Sequence, residues 1–261
     1  MHATEREEAI LVALGRTGFV SYRDLEASLD ASPATIRRDL ARMEDAGQLS
    51  RVHGGARAAA TDAREKASPL ALLGTPFEKS IGLNLAAKRA IGKAAAALCE
   101  PGEGLIIDGG STTYQMCPHL AGLGLQVLSN SLHIVNALLP QEGTTLLVPS
   151  GTIFREQNII LAPGGEDAMP RFHAGKLFMG AAAVGRQGVM QADVVLTASQ
   201  RRFIECADEV VLLVDSCKFE SSSGSIVCSL GEIDTVITDA GASEASLAML
   251  REAGVRVILA S

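Results

Sequence analysis

The first part of the chain is organised around one segment, Ser32-Pro33-Ala34-Thr35-Ile36-Arg37-Arg38-Asp39-Leu40. A serine followed directly by a proline is a preferred helix start, because the hydroxyl caps the first turn and proline lacks the N–H that would stay unpaired there. Ile36, Leu40 and Met43 then recur at the spacing of one helical face. The stretch therefore predicts a helix with a polar first turn and a buried inner face, ending at Gly47.

Two shorter helices are predicted before this one. Residues 5–15 carry apolar side chains at helical spacing, and Gly15 and Gly18 end that segment. A second helix is predicted to begin at Ser21, with Leu25 and Leu29 four residues apart on its buried face. A strand over residues 49–52 and a tight turn at Gly54-Gly55 follow, which is the pattern of a β-wing.

Residues 1–57 are thus predicted to form a winged helix-turn-helix domain, in which the first turn of the third helix enters the major groove of DNA. Asp39 is expected to pair with an arginine instead of contacting DNA. The expected DNA-contacting residues lie at the start of the second helix, along the third helix and in the wing: Ser21, Tyr22, Ser32, Pro33, Thr35, Arg37, Arg38, Arg42, Arg51 and His53.

The overall charge does not favour DNA binding, since 23 lysines and arginines against 30 aspartates and glutamates give a formal net charge of -7. Affinity for DNA comes largely from cations that neutralise phosphates, so the distribution of charge matters more than the sum. Residues 37–57 carry five arginines against three acidic residues. The local balance is about two positive charges, in the segment that is predicted to meet DNA.

Several other classes of protein are disfavoured by composition. The five cysteines are an odd number without C-x-x-C spacing, so neither a disulfide framework nor a metal site is predicted. No apolar run approaches the roughly 18 residues that a bilayer span needs, and the charged N-terminus lacks the apolar core of a signal peptide. The chain is therefore expected to stay in the cytoplasm.

The rest of the chain is predicted to be a second, α/β domain over residues 81–261, joined by an exposed linker over residues 58–80. Apolar runs alternate there with helical patterns, which predicts a mostly parallel sheet covered by helices. The predicted elements are helix 85–99, strand 104–108, helix 112–121, strand 125–129, helix 131–139, strand 144–149, strand 193–197, helix 199–207, strand 209–214, strand 234–238, helix 244–253 and strand 255–259.

An anion-binding turn is predicted where the first strand of this domain ends. The sequence there is Asp108-Gly109-Gly110-Ser111-Thr112-Thr113, which places three hydroxyls and free backbone N–H groups before a helix. The glycine spacing fits neither a dinucleotide fingerprint nor a P-loop, so no nucleotide cofactor is predicted.

Further polar segments end the neighbouring strands and are expected to join this site. They are Ser129-Asn130-Ser131, Ser150-Gly151 with Arg155 beyond it, and the segment Asp215-Ser216-Cys217-Lys218-Phe219. Lys218 either pairs with a phosphate or forms a surface ion pair with Asp215, and the sequence leaves both interpretations open.

Both halves of the chain resemble the DeoR-type family of bacterial sugar-catabolism regulators. The motifs that carry the resemblance are residues 35–40 and 47–56 in the first half, and 88–95, 108–113, 130–131, 215–219 and 233–239 in the second. The resemblance implies a sensor fold related to ribose-phosphate isomerases and CoA transferases. It also implies a homo-oligomeric repressor that a phosphorylated sugar releases from operator DNA. The symmetry of palindromic DNA half-sites favours a homodimer or homotetramer. The chain departs from the family pattern at Ser129, at Ser150 and around Leu196 to Gln200, where a Glu-x-x-x-Lys element is often found.

The residues leave two alternative functions open. A sugar-phosphate isomerase could use Asp108 as a base, but His119, His133 and His173 are scattered and supply no convincing second acid or base. A DNA-binding scaffold without an effector would not need the polar turn at residues 108–113. The prediction is accordingly a transcriptional regulator and not an enzyme.

Overall fold

The computed structural model of the chain describes residues 3–17, 19–29, 31–46, 48–52, 55–58, 72, 75–161 and 169–261. They belong to two compact units, Met1–Pro69 and Leu70–Ser261.

The first unit has three helices and a small antiparallel sheet. Its elements are α1 (Ala3–Thr17), β1 (Phe19–Ser21), α2 (Tyr22–Ser28), α3 (Pro33–Asp45), β2 (Leu49–Val52) and β3 (Gly55–Ala58). The strands pair in the order β1-β3-β2. The predicted winged helix-turn-helix is confirmed, with β1 as an added strand. The second helix begins at Tyr22, one residue later than predicted, and the predicted stop at Gly47 lies outside the described residues.

The first unit is held together by apolar side chains from all three helices. Ile10, Leu25, Ile36 and Leu40 are almost completely buried in one cluster. The predicted start of α3 is confirmed, because the Ser32 hydroxyl accepts a hydrogen bond from the Thr35 N–H at 3.2 Å.

The second unit is an α/β domain. Its helices and strands are α4 (Phe77–Ser80), α5 (Leu85–Ala96), β4 (Gly104–Ile107), β5 (Gln126–Leu128), α6 (Leu132–Leu138), β6 (Thr145–Leu147), β7 (Thr152–Phe154), β8 (Ile159–Leu161), β9 (Ala174–Met179), β10 (Ala183–Gly185), β11 (Gly188–Gln191), α7 (Val194–Glu205), β12 (Ala207–Leu213), β13 (Ser225–Cys228), β14 (Thr235–Asp239), α8 (Glu244–Glu252) and β15 (Arg256–Ala260). Short 3₁₀ helices cover Thr113–His119, Ser216–Phe219 and Leu230–Glu232.

A seven-stranded sheet in the order β15-β14-β12-β9-β4-β5-β6 forms the centre of this unit. All six pairings are parallel, which confirms the predicted parallel sheet. Leu105 and Ile107 of β4 pack in one apolar cluster with α5 and α6, whereas Ile106 packs in the other with α7 and α8. Both faces of the sheet are therefore covered, as a parallel sheet requires.

Several predicted elements are corrected by the structure. The predicted strand 193–197 is wrong, because these residues begin α7, which buries Gln200 and Phe203. The valine-rich run favours a strand locally, but helical packing decides the outcome. The predicted helix 112–121 is a 3₁₀ helix with Pro118 inside it. Strand β9, which lies between β12 and β4, was not predicted.

The end of the predicted linker is also corrected. Phe77 in α4 is buried, and its ring lies 3.8 Å from the His133 ring and 5.6 Å from the Tyr114 ring, measured between centroids. Residues 77–80 therefore pack on the second unit, because an aromatic side chain of this size stabilises a helix by burial. Most of the predicted linker, residues 59–71 and 73–74, lies outside the described residues.

Candidate DNA-binding surface and effector site

The first turn of α3 presents polar groups to solvent. Ser32 and Pro33 are exposed, Thr35 is half-buried, and the Ser32 and Thr35 hydroxyls are 2.9 Å apart. Arg37 and Arg38 are exposed one turn further along. The Arg37 guanidinium lies 5.9 Å from the centre of the Tyr22 ring, within the range of a cation–π contact. These six predicted DNA-contacting residues are thus placed on or beside an exposed helix start.

Arg42, which was also predicted to contact DNA, has other partners. Its guanidinium donates to Glu7 on α1 and to Asp39 at 3.0 Å. Asp39 is 3% exposed and also accepts from the Arg6 Nε at 2.8 Å. The expected pairing of Asp39 with arginine is confirmed. Arg42 joins α3 to α1, so the structure gives its predicted DNA contact no support.

Two other predicted DNA contacts are placed in the small sheet. Ser21 ends β1 and Arg51 lies in β2, while His53 lies outside the described residues.

A cleft of about 430 Å³ lies at the carboxyl ends of the middle strands of the second unit. The predicted anion-binding turn forms part of its wall through residues 108–112, together with Gly180, Gln200 and Lys218. Glycine is required at position 109, because a Cβ there would lie 2.7 Å from Ile159 Cγ2. Thr113 does not face the cleft: its buried hydroxyl donates to the carbonyls of Asp108 and Gly110 at 2.7 and 2.9 Å. It therefore shapes the turn.

Lys88 begins the family-like segment 88–95, but it is not among the predicted effector-binding residues. It is 2% exposed, and its Nζ donates to the Ser111 hydroxyl at 2.9 Å and to the Ser80 carbonyl at 2.6 Å. The Ser80 and Ser111 hydroxyls are also 2.9 Å apart. Burial lowers the pKa of Lys88, and the Asp215 carboxylate partly offsets this effect. The signal available in the sequence is the position of Lys88 at the start of the segment 88–95, which resembles the family pattern.

Asp108 is buried at the base of the cleft. Its carboxylate accepts from Gln200 Nε2 at 2.5 Å and from Asn130 Nδ2 at 3.5 Å. Burial raises the pKa of Asp108 to about 6, although the hydrogen bonds from Gln200, Gly109 and Asn130 oppose the increase. The Asn130 oxygen accepts from the Gly109 N–H at 3.0 Å, so Asn130 also orients the turn.

The structure does not bring all the predicted effector-binding residues together. Ser129 donates to the Ile107 carbonyl at 2.6 Å, and the Ser131 hydroxyl caps α6 by accepting from the Ile134 N–H. Both serines are buried and support the fold. Ser150, Gly151 and Arg155 are exposed, and none of them lines the cleft.

Lys218, in contrast, lines the cleft from the 3₁₀ helix Ser216–Phe219. Asp215 accepts from Asn84 Nδ2 at 3.2 Å, and no salt bridge between Asp215 and Lys218 is found in this described segment. The position of Lys218 therefore fits the interpretation that it meets a bound anion.

No metal site is formed by the His, Cys, Asp and Glu side chains of the described residues. Nor does any helix in the described part of the chain combine the length and apolar character that a membrane span requires.

Comparison with known proteins places both units in one family. Residues 6–62 match the DeoR-like helix-turn-helix domain, and residues 83–240 match the DeoR C terminal sensor domain. The "Putative aga operon transcriptional repressor" of Escherichia coli O157:H7 is 33% identical over 98% of this chain and 93% of its own length. The HTH-type transcriptional regulator UlaR of Escherichia coli (strain K12 / DH10B) is 29% identical over 99% of both chains.

Among solved structures, ribose 5-phosphate isomerase A from Methanocaldococcus jannaschii covers 52% of this chain and 55% of its own, with 18% identity and a TM-score of 0.38.

The chain belongs to the DeoR family of transcriptional regulators. It is a DNA-binding regulator with a sensor domain for a small molecule, and not an enzyme.

Proposed function

We propose that this regulator represses an operon for carbohydrate catabolism and leaves its operator when a phosphorylated sugar binds in the cleft of the second unit. The observation that carries the proposal is the contact of the buried Lys88 with Ser111, in a glycine-rich turn at the cleft wall. The names of the relatives, among them an aga operon repressor, support the regulatory part.

The turn supplies groups that suit a phosphate. Residues 109–112 and Lys218 line the cleft. Lys88 does not line the cleft itself, but its Nζ contacts the Ser111 hydroxyl and so supplies a second cation at the turn. Hydrogen bonds between cations and phosphate oxygens are among the strongest in proteins, because the charges assist them. The 3₁₀ helix after the turn has seven residues, so the proposal depends on these groups and not on a helix dipole.

The rest of the cleft suits the hydroxyl groups of a small sugar. Neutral polar side chains line it at Thr75, Gln157, Gln191 and Ser223, and its volume is that of a small metabolite. Asp108 and Lys218 are the ionisable residues among the described lining residues. A hydroxyl-rich molecule whose one charged group is an anion matches this distribution.

DNA recognition is assigned to the exposed start of α3. Ser32, Arg37 and Arg38 are exposed there and Thr35 is half-buried, so these side chains are the ones proposed to meet phosphates and base edges in the major groove. We infer a homodimer or homotetramer, because two such helices about one DNA turn apart, roughly 34 Å, bind the two halves of a palindromic operator.

A thermal-shift screen tests the effector. The full-length protein is melted with a panel of pentose and hexose phosphates, with the unphosphorylated parent sugars as matched controls. A ligand that binds the folded state alone raises the melting temperature, by an amount that grows with its concentration. We expect increases with phosphorylated compounds only. Equal increases with the parent sugars, or none with any phosphate, would contradict the proposal.

A further inference from the structure

Gln200 carries a polar amide but is buried in the cleft wall. The side chain lies on α7, is 2% exposed and lines the cleft. Its Nε2 donates to Asp108 Oδ2 at 2.5 Å and to the Gly180 carbonyl at 2.9 Å. Because both partners are acceptors, they determine which end of the amide is the nitrogen.

The other end of this amide has no hydrogen-bond partner among the described residues. Less than 1 Å² of Gln200 Oε1 is accessible to solvent. A buried acceptor left unpaired is destabilising, because it loses its hydrogen bond to water on folding and gains none in return. Such a group in a native protein calls for an explanation, and a functional role is one of the few available.

We propose that Gln200 determines which phosphate esters the cleft accepts, by taking a hydrogen bond on Oε1 from a hydroxyl group of the effector. Asp108 and Gly180 hold the amide in the required orientation. Asp108 itself is less suited to this contact, because its two oxygens already accept from Gln200 and Asn130. The inference rests on the proposed function, since it needs a phosphate ester in the cleft.

The expected recognition has two parts. The Ser111 turn and the two lysines bind the phosphate, while Gln200 selects for a hydroxyl donor elsewhere in the molecule. A site that hydrogen-bonds a hydroxyl discriminates strongly against an analogue that lacks it, because the buried partner is then left unpaired. As Oε1 is shielded, the neighbouring side chains must shift by a small amount when the ester binds.

Calorimetric titration of the full-length protein tests this inference. The ligands are inorganic phosphate, the tightest-binding member of a panel of pentose, hexose and alditol phosphates, and the hydroxyl-free pentyl or hexyl phosphate of equal chain length. We expect the wild-type protein to favour the hydroxylated ester by about tenfold or more, equivalent to one hydrogen bond or more.

Two variants separate the roles of the amide. Gln200→Met removes both the donor and the acceptor, whereas Gln200→Lys keeps a donor towards Asp108 and loses the acceptor. Both are expected to reduce the preference for the hydroxylated ester by about tenfold. The preference is the ratio of the affinities for the two esters. The charge added by lysine affects both affinities equally, because both esters carry the same phosphate. Gln187→Met and Gln187→Lys are the matched controls, since Gln187 is exposed and does not line the cleft.

A wild-type measurement keeps the test valid if the variants fold poorly. Among the single-deoxy analogues of the tightest ester, at least one is expected to bind about tenfold more weakly. An unchanged preference in folded Gln200 variants, or no loss with any deoxy analogue, would overturn the inference. The role of Gln200 would also be contradicted if the wild type bound phosphate but did not favour a hydroxylated ester. That result would still support the proposed anion site. Failure of every phosphate compound to bind would instead contradict the proposed function.

Discussion

Lys88 Nζ lies 2.9 Å from the Ser111 hydroxyl, although the two residues are on different elements of the second unit. The same nitrogen is 2.6 Å from the Ser80 carbonyl at the end of α4. A phosphate that binds at Ser111 must therefore share or replace these bonds. Through these two bonds, Lys88 links the candidate anion site to α4.

Replacing Lys88 with methionine is expected to weaken the binding of the effector. The side chain keeps its length and can stay buried, but the cation that faces the phosphate is lost. We expect affinity for the effector to fall by about 10- to 100-fold, in the range for loss of one charged hydrogen-bond partner. Calorimetric titration measures this change. Lys93→Met is the control, because Lys93 is exposed on the same helix. An equal loss of affinity in both variants would contradict the role of Lys88.

The two arginines of α3 are expected to separate DNA binding from folding. Arg38→Ala should weaken operator binding by about tenfold with the melting temperature unchanged, because it removes an exposed cation from the DNA-binding surface. Arg42→Ala should lower the melting temperature of the first unit, because its contacts with Glu7 and Asp39 are lost. Anisotropy with labelled DNA and calorimetric melting measure the two effects. If Arg42→Ala weakened operator binding and left the melting temperature unchanged, the result would support the sequence prediction that Arg42 contacts DNA.

The buried Asp108 is expected to make stability depend on pH. Its pKa of about 6 in the folded protein exceeds the ordinary value of 3.8, so the folded state binds this proton more tightly than the unfolded state. Stability contributed by Asp108 is therefore present below pH 4 and is lost as the pH rises through 6. The total change is about 3 kcal/mol, at about 1.4 kcal/mol per pKa unit.

The variant Asp108→Asn isolates this effect. The free energy of unfolding of the variant minus that of the wild type should rise by about 2 kcal/mol between pH 4 and pH 7.5. Denaturant melts at several pH values measure the difference, in which other titrating groups largely cancel. A difference that is constant across this range would show that the Asp108 carboxyl is not perturbed.

Gly109→Ala is expected to destabilise the second unit by about 1–3 kcal/mol, the usual cost of overpacking. The added methyl would lie 2.7 Å from Ile159 Cγ2 and 3.2 Å from Asn130 Oδ1, so the turn must move. Gly224→Ala serves as the control, because no atom lies within 4 Å of a Cβ added there. Denaturant melts compare the two variants, and equal stability would mean that the turn adapts without cost.

Local patterns in the sequence predict much of the fold. The serine–proline start, the apolar spacing of α3 and the alternation of strands with helices all depend on neighbouring residues. The strand over 193–197 fails because a short valine run fits both a strand and a buried helix. The turn at residues 108–113 is predictable for the same local reason, since its glycines and hydroxyls follow one another directly.

The remainder of the site depends on contacts between distant residues. Gln200 meets Asp108 across 92 positions and Lys88 meets Ser111 across 23, and neither pairing leaves a local signal. Ser150 and Gly151 follow β6, an edge strand that is two places from β4, and Arg155 follows β7. Strands are about 4.8 Å apart, so the turn after β6 begins roughly 10 Å from the end of β4. Turns at the same edge of a sheet are therefore not always close enough to form one site.

Release of operator DNA by the effector tests directly whether the second unit controls DNA binding by the first. A labelled operator, selected by the protein from random-sequence DNA, is bound to the full-length regulator and titrated with the sugar phosphate found in the melting screen. Fluorescence anisotropy should fall with the phosphorylated compound, remain unchanged with its unphosphorylated parent, and show no release from Lys88→Met at the same concentrations. Equal release by the parent sugar, or normal release from Lys88→Met, would contradict the account.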